Sequence, residues 1–268
     1  VSVAGAGALS TNRVNTDVRA YAQGGDKLKG TALSLTAIDD SSIDAFTGAA
    51  ALAASLAGNA GIAVSLAASI ARNEIDANAI AFIGGVDEVA ASTGNLVIRA
   101  LQRSKINADV YSASLAAGLS GGAAISVSGG GAFANNVIYG DTLAFIEDST
   151  VTVAGDVTLG ARNDSVIEAE VIAVTASVSI GGGTGVAVSI GAAVANNLIG
   201  GGGLLGIDDD GNRTVTNYAV NPLQVKSYIA DSEVDLGGAL TMTALSNQTI
   251  DATAAVASVA VSLGDGFS

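Results

Sequence analysis

One tract of small residues recurs four times along this chain and sets the length of its repeating unit. The four copies read VSVAGAGALSTN (1–12), GIAVSLAASIARN (61–73), AISVSGGGAFANN (124–136) and GVAVSIGAAVANN (185–197). Their asparagines are separated by 61, 63 and 61 residues and are Asn12, Asn73, Asn136 and Asn197. Self-similarity at a fixed period is typical of arrays in which every repeat adds the same structural unit. The sequence therefore predicts a repeat protein rather than an ordinary globular domain.

A second motif, Ala-x5-Ile-x-Ala, has the same period except in the last repeat. It reads AIDDSSIDA (37–45), ALQRSKINA (100–108), ARNDSVIEA (161–169) and ALSNQTIDA (244–252), at steps of 63, 61 and 83 residues. The last repeat is longer by about 22 residues, which fall in a stretch with the only proline, four consecutive glycines and three consecutive aspartates. We predict a single elongated segment with repeats at about 1–61, 62–124, 125–185 and 186–268, and an inserted loop at about 200–225.

The two ends of the chain are adjacent in repeat phase. Val1 aligns with Val186, and Ser268 aligns with Gly185. This phase predicts a whole number of repeats, as in a segment cut from a longer array. The first residues lack a basic stretch followed by an apolar one, so they predict no signal peptide.

Alternation with a period of two favours strands over helices. In the stretch 151–159, Thr152, Asp156 and Thr158 interleave with valines and a leucine, and glycine clusters elsewhere would break a helix. Short strands, glycine-containing turns and a long fixed period predict an all-β fold, a parallel β-solenoid (β-helix) of four repeats of about 61 residues. The alanine-rich stretch 49–83 leaves a helix open as an alternative there.

The core of this predicted solenoid is narrow. Aromatic residues make up only 4% of the chain, whereas hydrophobic residues make up 49%, so inward positions are expected to stack Ala, Val and Ile. Each repeat is expected to form two coils of about 30 residues, with three coils of about 20 as the alternative. The four recurring asparagines are interpreted as structural turns at coil corners, because Asn tolerates a left-handed backbone and bonds nearby peptide groups.

The absence of histidine and cysteine removes much catalytic chemistry. Ser-His and Cys-His pairs, an imidazole base and the usual zinc sites all need residues that this chain lacks. A net charge of −14 with 11 basic residues disfavours nucleic acid as a partner. Charged residues or asparagines interrupt most long apolar runs, so no membrane insertion is expected. We expect the chain not to be an enzyme.

The inserted loop contains the strongest candidate for a metal site. Asp208, Asp210 and Asn212 alternate around a glycine like the start of a calcium loop, but no glutamate follows before Glu233. The preferred interpretation is therefore an ordinary solvated turn, and a calcium site is the alternative; the sequence suggests no other cofactor.

Paired carboxylates at four places in the sequence are a candidate signal for acid–base catalysis. They occur at Asp39/Asp40, Asp87/Glu88, Glu147/Asp148 and Asp231/Glu233. Acid–base cleavage of a polysaccharide needs two carboxyl groups converging in one cleft. Because the pairs recur at nearly the same phase, we interpret them as outward turn features. The five tyrosines (21, 111, 139, 218 and 228) are scattered in sequence and predict no stacking platform for sugars.

The alternation of VAVSIGAAVANN (186–197) with GDVTLGARNDSVIEA (155–169) resembles the repeat regions of very large secreted bacterial surface proteins. These are the filamentous-haemagglutinin-like and leukotoxin-type filamentous adhesins. The resemblance covers the chain except 200–225. It implies a parallel β-helical shaft without catalytic residues, located outside the cell or on its surface, with a role in adhesion or in a filament.

Together these observations predict a structural shaft segment of an extracellular adhesin or surface filament. Its expected partners are further copies, associated end to end or laterally, and a host or cell-surface glycan or protein receptor. A polysaccharide-active or glycan-binding β-helix protein is one alternative. An outer-membrane β-barrel is another, because alternating strands also suit that fold.

Overall fold

The computed structural model describes residues 1–200, 204–207, 213–216 and 223–264, with side chains described for 1–200 and 223–264. Among these residues the regular secondary structure is all β-strand and no helix occurs. The helix alternative for 49–83 is wrong, because that stretch forms strands with alternating burial. The prediction of an all-β, parallel β-solenoid is confirmed.

The described residues form twenty strands in four coils. Coil 1 contains β1 (Ser2–Gln23), β2 (Lys27–Gly30), β3 (Leu33–Asp39) and β4 (Ser42–Ala57). Coil 2 contains β5 (Ala60–Gly84), β6 (Glu88–Ala91), β7 (Leu96–Gln102) and β8 (Lys105–Ser120). Coil 3 contains β9 (Ala123–Tyr139), β10 (Thr142–Glu147), β11 (Thr150–Val153), β12 (Val157–Asn163) and β13 (Val166–Gly181). Coil 4 contains β14 (Thr184–Ile199), β15 (Leu204–Ile207), β16 (Arg213–Thr216), β17 (Val225–Ala230), β18 (Glu233–Leu236), β19 (Leu240–Ser246) and β20 (Thr249–Gly264).

Equivalent strands of successive coils pair in parallel and form four sheets. Sheet A contains β1, β5, β9 and β14, continued by β10 and β17; sheet B contains β2, β6, β11 and β18. Sheet C contains β3, β7, β12 and β19; sheet D contains β4, β8, β13 and β20.

The pairing register shows that one repeat makes one coil. Asn12 pairs with Asn73, Asn73 with Asn136, and Asn136 with Asn197, each one full repeat apart. The expectation of two or three coils per repeat is therefore wrong. The reason is strand length, because strands as long as the 25-residue β5 use up the repeat in a single circuit.

In every coil, two long strands run against each other before the chain completes a wider circuit. The first three strands of sheet D (β4, β8 and β13) each turn tightly into a strand of sheet A, as at Gly58 and Asn59 between β4 and β5, and the two sheets pack face to face. We call this two-layered part the arm; it comprises residues 2–11, 47–71, 110–134, 171–195 and 254–264. The rest of the four coils is the body, which the later half of sheet A encloses together with sheets B and C and the start of sheet D.

The body holds the main hydrophobic core. Its inward residues are large and aliphatic, and Ile83, Ile98 and Leu159 are fully buried in one cluster. A smaller cluster next to the arm is built on a column of isoleucines from sheet D, Ile43, Ile106 and Ile167. Burying one such side chain contributes about 1.5–3 kcal/mol relative to leaving it exposed. Most of the hydrophobic stabilisation of each coil therefore comes from the body.

The insertion in the last repeat leaves the path of the coil unchanged. Asn136 and Asn197, 61 residues apart, are bonded before it, and Ser149 and Ser232, 83 residues apart, are bonded after it. Within it, β15 and β16 pair in antiparallel fashion. Because β17 pairs in register with β10, the regular coil continues after the extra residues.

Candidate functional site

The outer surface of the arm is apolar on both of its sides. Its exposed residues on sheet A include Val3, Leu9, Leu66, Val188 and Ile190, and those on sheet D include Leu52, Leu56, Leu119, Ile180 and Leu263. Leu66 is 54% exposed and Ile190 is 65% exposed. None of the Lys, Arg, Asp or Glu residues of the chain falls in the arm. A contiguous exposed apolar surface of this kind marks an interaction site.

The interior of the arm is lined by small and hydroxyl-bearing residues instead. Its buried residues are mostly alanines and serines, with Val110 and Val171 at the base as the largest. A Cβ added to Gly130 would lie 2.6 Å from Cγ2 of Thr175 on the facing sheet, and one added to Gly191 would lie 2.6 Å from Cγ1 of Val256. The two sheets are therefore too close to admit larger side chains.

This close approach lets serine side chains bond the backbone of the opposite sheet. The hydroxyl of Ser114 donates to the carbonyl oxygen of Ser65 at 2.8 Å, and that of Ser177 donates to the carbonyl oxygen of Val188 at 2.6 Å. A buried hydroxyl without a partner costs about 1–3 kcal/mol. These bonds remove that cost and tie the two layers together.

The four asparagines that define the repeat form a ladder where the arm meets the body. The Nδ2 of Asn12 donates to Oδ1 of Asn73 at 2.8 Å, Asn73 donates to Asn136 at 2.8 Å, and Asn136 donates to Asn197 at 2.7 Å. All four lie within strands of sheet A, and Asn136 is fully buried. Their interpretation as structural turns at corners is wrong, because the amides stack inside the coil and bond one another rather than the backbone.

The left-handed corner of the coil lies elsewhere, between sheets A and B. Equivalent residues in the four coils all have positive φ there: Gly24 (64°), Gly85 (62°), Asp148 (48°) and Asp231 (45°). Glycine adopts this conformation without strain, and aspartate tolerates it better than most residues. Two of the paired carboxylates thus contribute a residue to a backbone turn.

The corner between sheets C and D carries a buried polar network. Asp39, Gln102 and Asn163 are equivalent in three coils and are almost fully buried. Asn163 donates to Oε1 of Gln102 at 2.9 Å, and Thr142 donates to the same oxygen at 2.8 Å. In coil 1, Thr16 donates to Oδ2 of Asp39 at 2.7 Å. The outward interpretation of Asp39 is therefore wrong, since its carboxylate is an interior acceptor.

Outward carboxylates are held by basic residues of neighbouring positions. Asp40 accepts two hydrogen bonds from Arg103 at 2.6 and 2.8 Å. Glu88 lies 2.8 Å from Nζ of Lys27 and 2.6 Å from Nζ of Lys29, and hydrogen bonds from these lysines lower the pKa of Glu88 to about 2. Three of the four carboxylate pairs lie at the corner between sheets A and B of successive coils, whereas Asp39/Asp40 lies at the corner between sheets C and D.

Two further carboxylates bond tyrosines across the strands. Tyr111 donates to Glu170 at 3.0 Å, and Tyr139 donates to Glu74. Burial and the bond to Glu74 raise the pKa of Tyr139 to about 12. These phenols stay protonated over the whole neutral range and act as fixed donors between coils.

Aromatic residues form a continuous stack on the outer surface of the body. The ring centroids of Tyr21 and Phe82 are 5.2 Å apart, those of Phe82 and Phe145 are 4.8 Å apart, and those of Phe145 and Tyr228 are 4.9 Å apart. Tyr21 and Tyr228, although far apart in the sequence, are the two ends of this stack; Tyr218 lies outside the described residues. Because each inner ring stacks on its neighbours, the stack mainly joins one coil to the next.

No metal site can be assigned within the described residues. Among them, no group of three or more His, Cys, Asp or Glu side chains is placed to hold an ion. The predicted calcium ligands Asp208, Asp210 and Asn212 lie outside the described residues. In the same described part of the chain, no helix is long and apolar enough to cross a membrane.

The apolar outer surface of the arm could not be recognised in the sequence, because hydropathy alone assigns its large residues to the interior. One signal was present: the stretches 47–71, 110–134 and 171–195 each lack any charged residue. A strictly alternating strand of that length without charged residues is compatible with two uncharged faces, one inward and one outward.

Comparison with family models, with curated proteins and with solved structures found no match to this chain.

Proposed function

We propose that this chain is a structural shaft segment of an extracellular adhesin or surface filament. Copies of it stack end to end, and neighbouring shafts associate laterally. The extracellular location and the adhesive or filament role rest on the resemblance of its repeats to filamentous adhesins. Self-association rests on the geometry of its two ends and of its arm.

One observation carries the proposal of end-to-end stacking: both ends present the same columns of residues. Ile43 at one end and Ile250 at the other belong to one inward isoleucine column, as Asn12 and Asn197 belong to the asparagine ladder. Ile250 is 47% exposed. In the described coils, each end strand is paired on one side only, and such an edge is a template for another strand. A further copy would continue every column in register.

The test is assembly of the purified chain with its end strand altered. Ala260 on β20 pairs with the buried, inward Ser177 but is itself exposed in the end coil, so Ala260→Lys has room in the single chain and places a charge that a stacked coil would bury. Inward charge on an edge strand blocks strand addition. The matched control is Thr253→Lys on the same strand, because Thr253 pairs with the outward, exposed Glu170.

We expect the unaltered chain and Thr253→Lys to form fibres that lengthen with protein concentration. Their diffraction should contain a reflection at about 4.7–4.8 Å along the fibre axis, because the strands lie across it. Ala260→Lys should abolish the fibres. A compact monomer at all concentrations, or turnover of an acidic polysaccharide by the chain, would count against a shaft.

A further inference from the structure

The outward surface of sheet A in the arm has a regular relief, and we call it the A face. It is made by alternate residues from 3 to 9, 64 to 70, 127 to 133 and 188 to 194. Two ridges bound it, one of valines (Val3, Val64, Val127 and Val188) and one of mixed apolar residues (Leu9, Ile70, Phe133 and Val194). Between the ridges, the height of the surface changes from coil to coil.

That change comes from one column in which glycine alternates with a large residue. In order along the axis, the column contains Gly5, Leu66, Gly129 and Ile190. The next column contains Gly7, Ala68, Gly131 and Ala192. Coils 2 and 4 therefore carry knobs, and coils 1 and 3 carry pits. The pits and knobs line a groove of about 520 Å³.

A two-fold axis converts this relief into its own complement. If the axis runs along the strands between coils 2 and 3, it sets coil 1 against coil 4 and coil 2 against coil 3. Leu66 of one copy then faces Gly129 and Gly131 of the second copy, and Ile190 faces Gly5 and Gly7. We infer that two copies of this chain pack A face against A face with their solenoid axes antiparallel. The inference deepens the lateral association named in the proposed function and rests on it.

The size and charge of the A face suit such a dimer. With the uncharged residues that continue it towards the tip of the arm, the face extends over ten residues along each strand (1–10 in coil 1 and 186–195 in coil 4), so four strands across give about 33 by 19 Å, or about 600 Å² per copy. Two copies would bury about 1,200 Å², at the lower end of specific interfaces. The face has no charged residue, so none loses its hydration when it is covered. Added coils would enlarge the contact in proportion.

The relief of the A face also favours a second copy over a lipid surface as its partner. A lipid phase has no fixed shape and gains nothing from alternating pits and knobs. It also requires every backbone group within it to be paired. In the described structure, β1 and β14 are the edge strands of sheet A in the arm and are paired on one side only. A second copy covers the face and leaves these edges in water.

The experiment fills a pit without disturbing the monomer. A Cβ added to Gly131 has no other atom within 4 Å, so Gly131→Leu fits the isolated chain. The control is Gly160→Leu in sheet C, where the added Cβ has only an ordinary contact with Arg99 at 4.0 Å. Both variants add the same apolar group, but only the first occupies the place of Leu66 of the second copy.

All measurements use the Ala260→Lys background, which blocks end-to-end stacking. In this background, sedimentation equilibrium measures only side-by-side dimers. Fibres that persist with Ala260→Lys would contradict end-to-end stacking and would not bear on the face-to-face dimer. We expect the background chain and Gly160→Leu to dimerise equally. Gly131→Leu should weaken dimerisation by about tenfold or more, because an overfilled interface cannot close.

Exchange of knob and pit provides the rescue. Leu66→Gly combined with Gly129→Leu moves the knob from coil 2 to coil 3, and the two-fold axis still sets it against a pit. It also removes the 2.8 Å contact that a Cβ on Gly129 would make with Leu66. We expect this double variant to dimerise within about threefold of the background chain.

Three results would overturn the inference. One is a monomer at all concentrations in the Ala260→Lys background. Another is a dimer that Gly131→Leu leaves unchanged or tightens, since that outcome means non-specific apolar contact. The third is flotation of the chain with phosphatidylcholine vesicles that Gly131→Leu increases, which would assign the face to lipid.

Discussion

Strand β5 passes through both the arm and the body, and the size of its inward residues changes at Asn73. Before Asn73 its inward residues are alanines and serines, and its outward residues include Leu66 and Ile70; after Asn73 its inward residues include Ile75 and Ile83. The period of two is unbroken throughout. The difference teaches that alternation identifies two faces of a strand, whereas the distance to the facing sheet decides whether the inward face can hold large residues.

The consequence is that the two regions should respond to opposite kinds of substitution. The body is filled by large side chains, so it should be sensitive to their removal. The arm is closed by contact between small ones, so it should be sensitive to their enlargement. Both sensitivities can be measured as changes in the free energy of unfolding in urea.

Removal of a large core residue from the body should have the largest effect. Leu159 is fully buried in the main cluster, so Leu159→Ala should lower the free energy of unfolding by about 2–5 kcal/mol. The control is Leu101→Ala, which alters an outward leucine in the same sheet. Equal losses for the two variants would contradict the assignment of the faces.

Removal of one amide from the asparagine ladder should come next. Asn136→Ala leaves Asn73 without an acceptor and Asn197 without a donor, and we expect a loss of about 2–4 kcal/mol. The neighbouring Asn135 is a matched control because its side chain points outward. Its Oδ1 accepts one hydrogen bond, from Nδ2 of Asn196 at 2.7 Å. If Asn135→Ala costs as much as Asn136→Ala in urea unfolding, the ladder is not a special boundary between arm and body.

Enlargement of an inward arm residue should cost less, about 1–3 kcal/mol. Ala116 is fully buried beside Ala53 and Ala63, so Ala116→Leu would force the two sheets apart. Ala117→Leu adds the same atoms one residue later, on the outward side, and should change the free energy of unfolding little. The thin interior of the arm would be disproved by a stabilising effect of Ala116→Leu.

The smallest effect should come from the surface of the body. The pKa of Glu88 is depressed to about 2 by Lys27 and Lys29, so the ion pairs stabilise the fold above the ordinary glutamate pKa of about 4.3. This contribution is lost as the pH falls through the folded-state value. Glu88→Gln, and equally Lys27→Gln with Lys29→Gln, should flatten the fall in the urea midpoint between pH 5 and pH 2. High salt should also flatten this fall. If none of these changes alters the urea midpoint between pH 5 and pH 2, the ion pairs of Glu88 do not stabilise the fold.

The period, the fold class and the position of the extra residues could all be predicted from the sequence, since each depends on spacing. The four-fold recurrence of the tract ending in Asn136 and its equivalents sets the register, and the longer last step locates the insertion. The number of coils per repeat could not be predicted, because a 17-residue strand such as β9 contains three consecutive glycines, 129–131, that resemble a turn in the sequence.

The character of the candidate site could not be predicted for a different reason. In GVAVSIGAAVANN, hydropathy assigns Val188 and Ile190 to the interior, whereas the structure places Ser189 and Gly191 there. The interior is narrow there because β13 and β20 of sheet D pack against β14, and the alternation within β14 does not show how close those strands lie. Likewise, the inward position of Asp39 depends on Thr16 and Ser104 of other strands, which no local pattern reveals.

The asparagine ladder also gives the solenoid a direction. In every step the amide nitrogen of one coil donates to the amide oxygen of the next coil in sequence, from Asn12 towards Asn197. The side-chain dipoles are therefore aligned head to tail, and each bond polarises the next. A coil added in the same orientation would lengthen this row of dipoles, whereas an inverted coil would set two like ends together. A fibre grown from such units would be polar, with two chemically distinct tips.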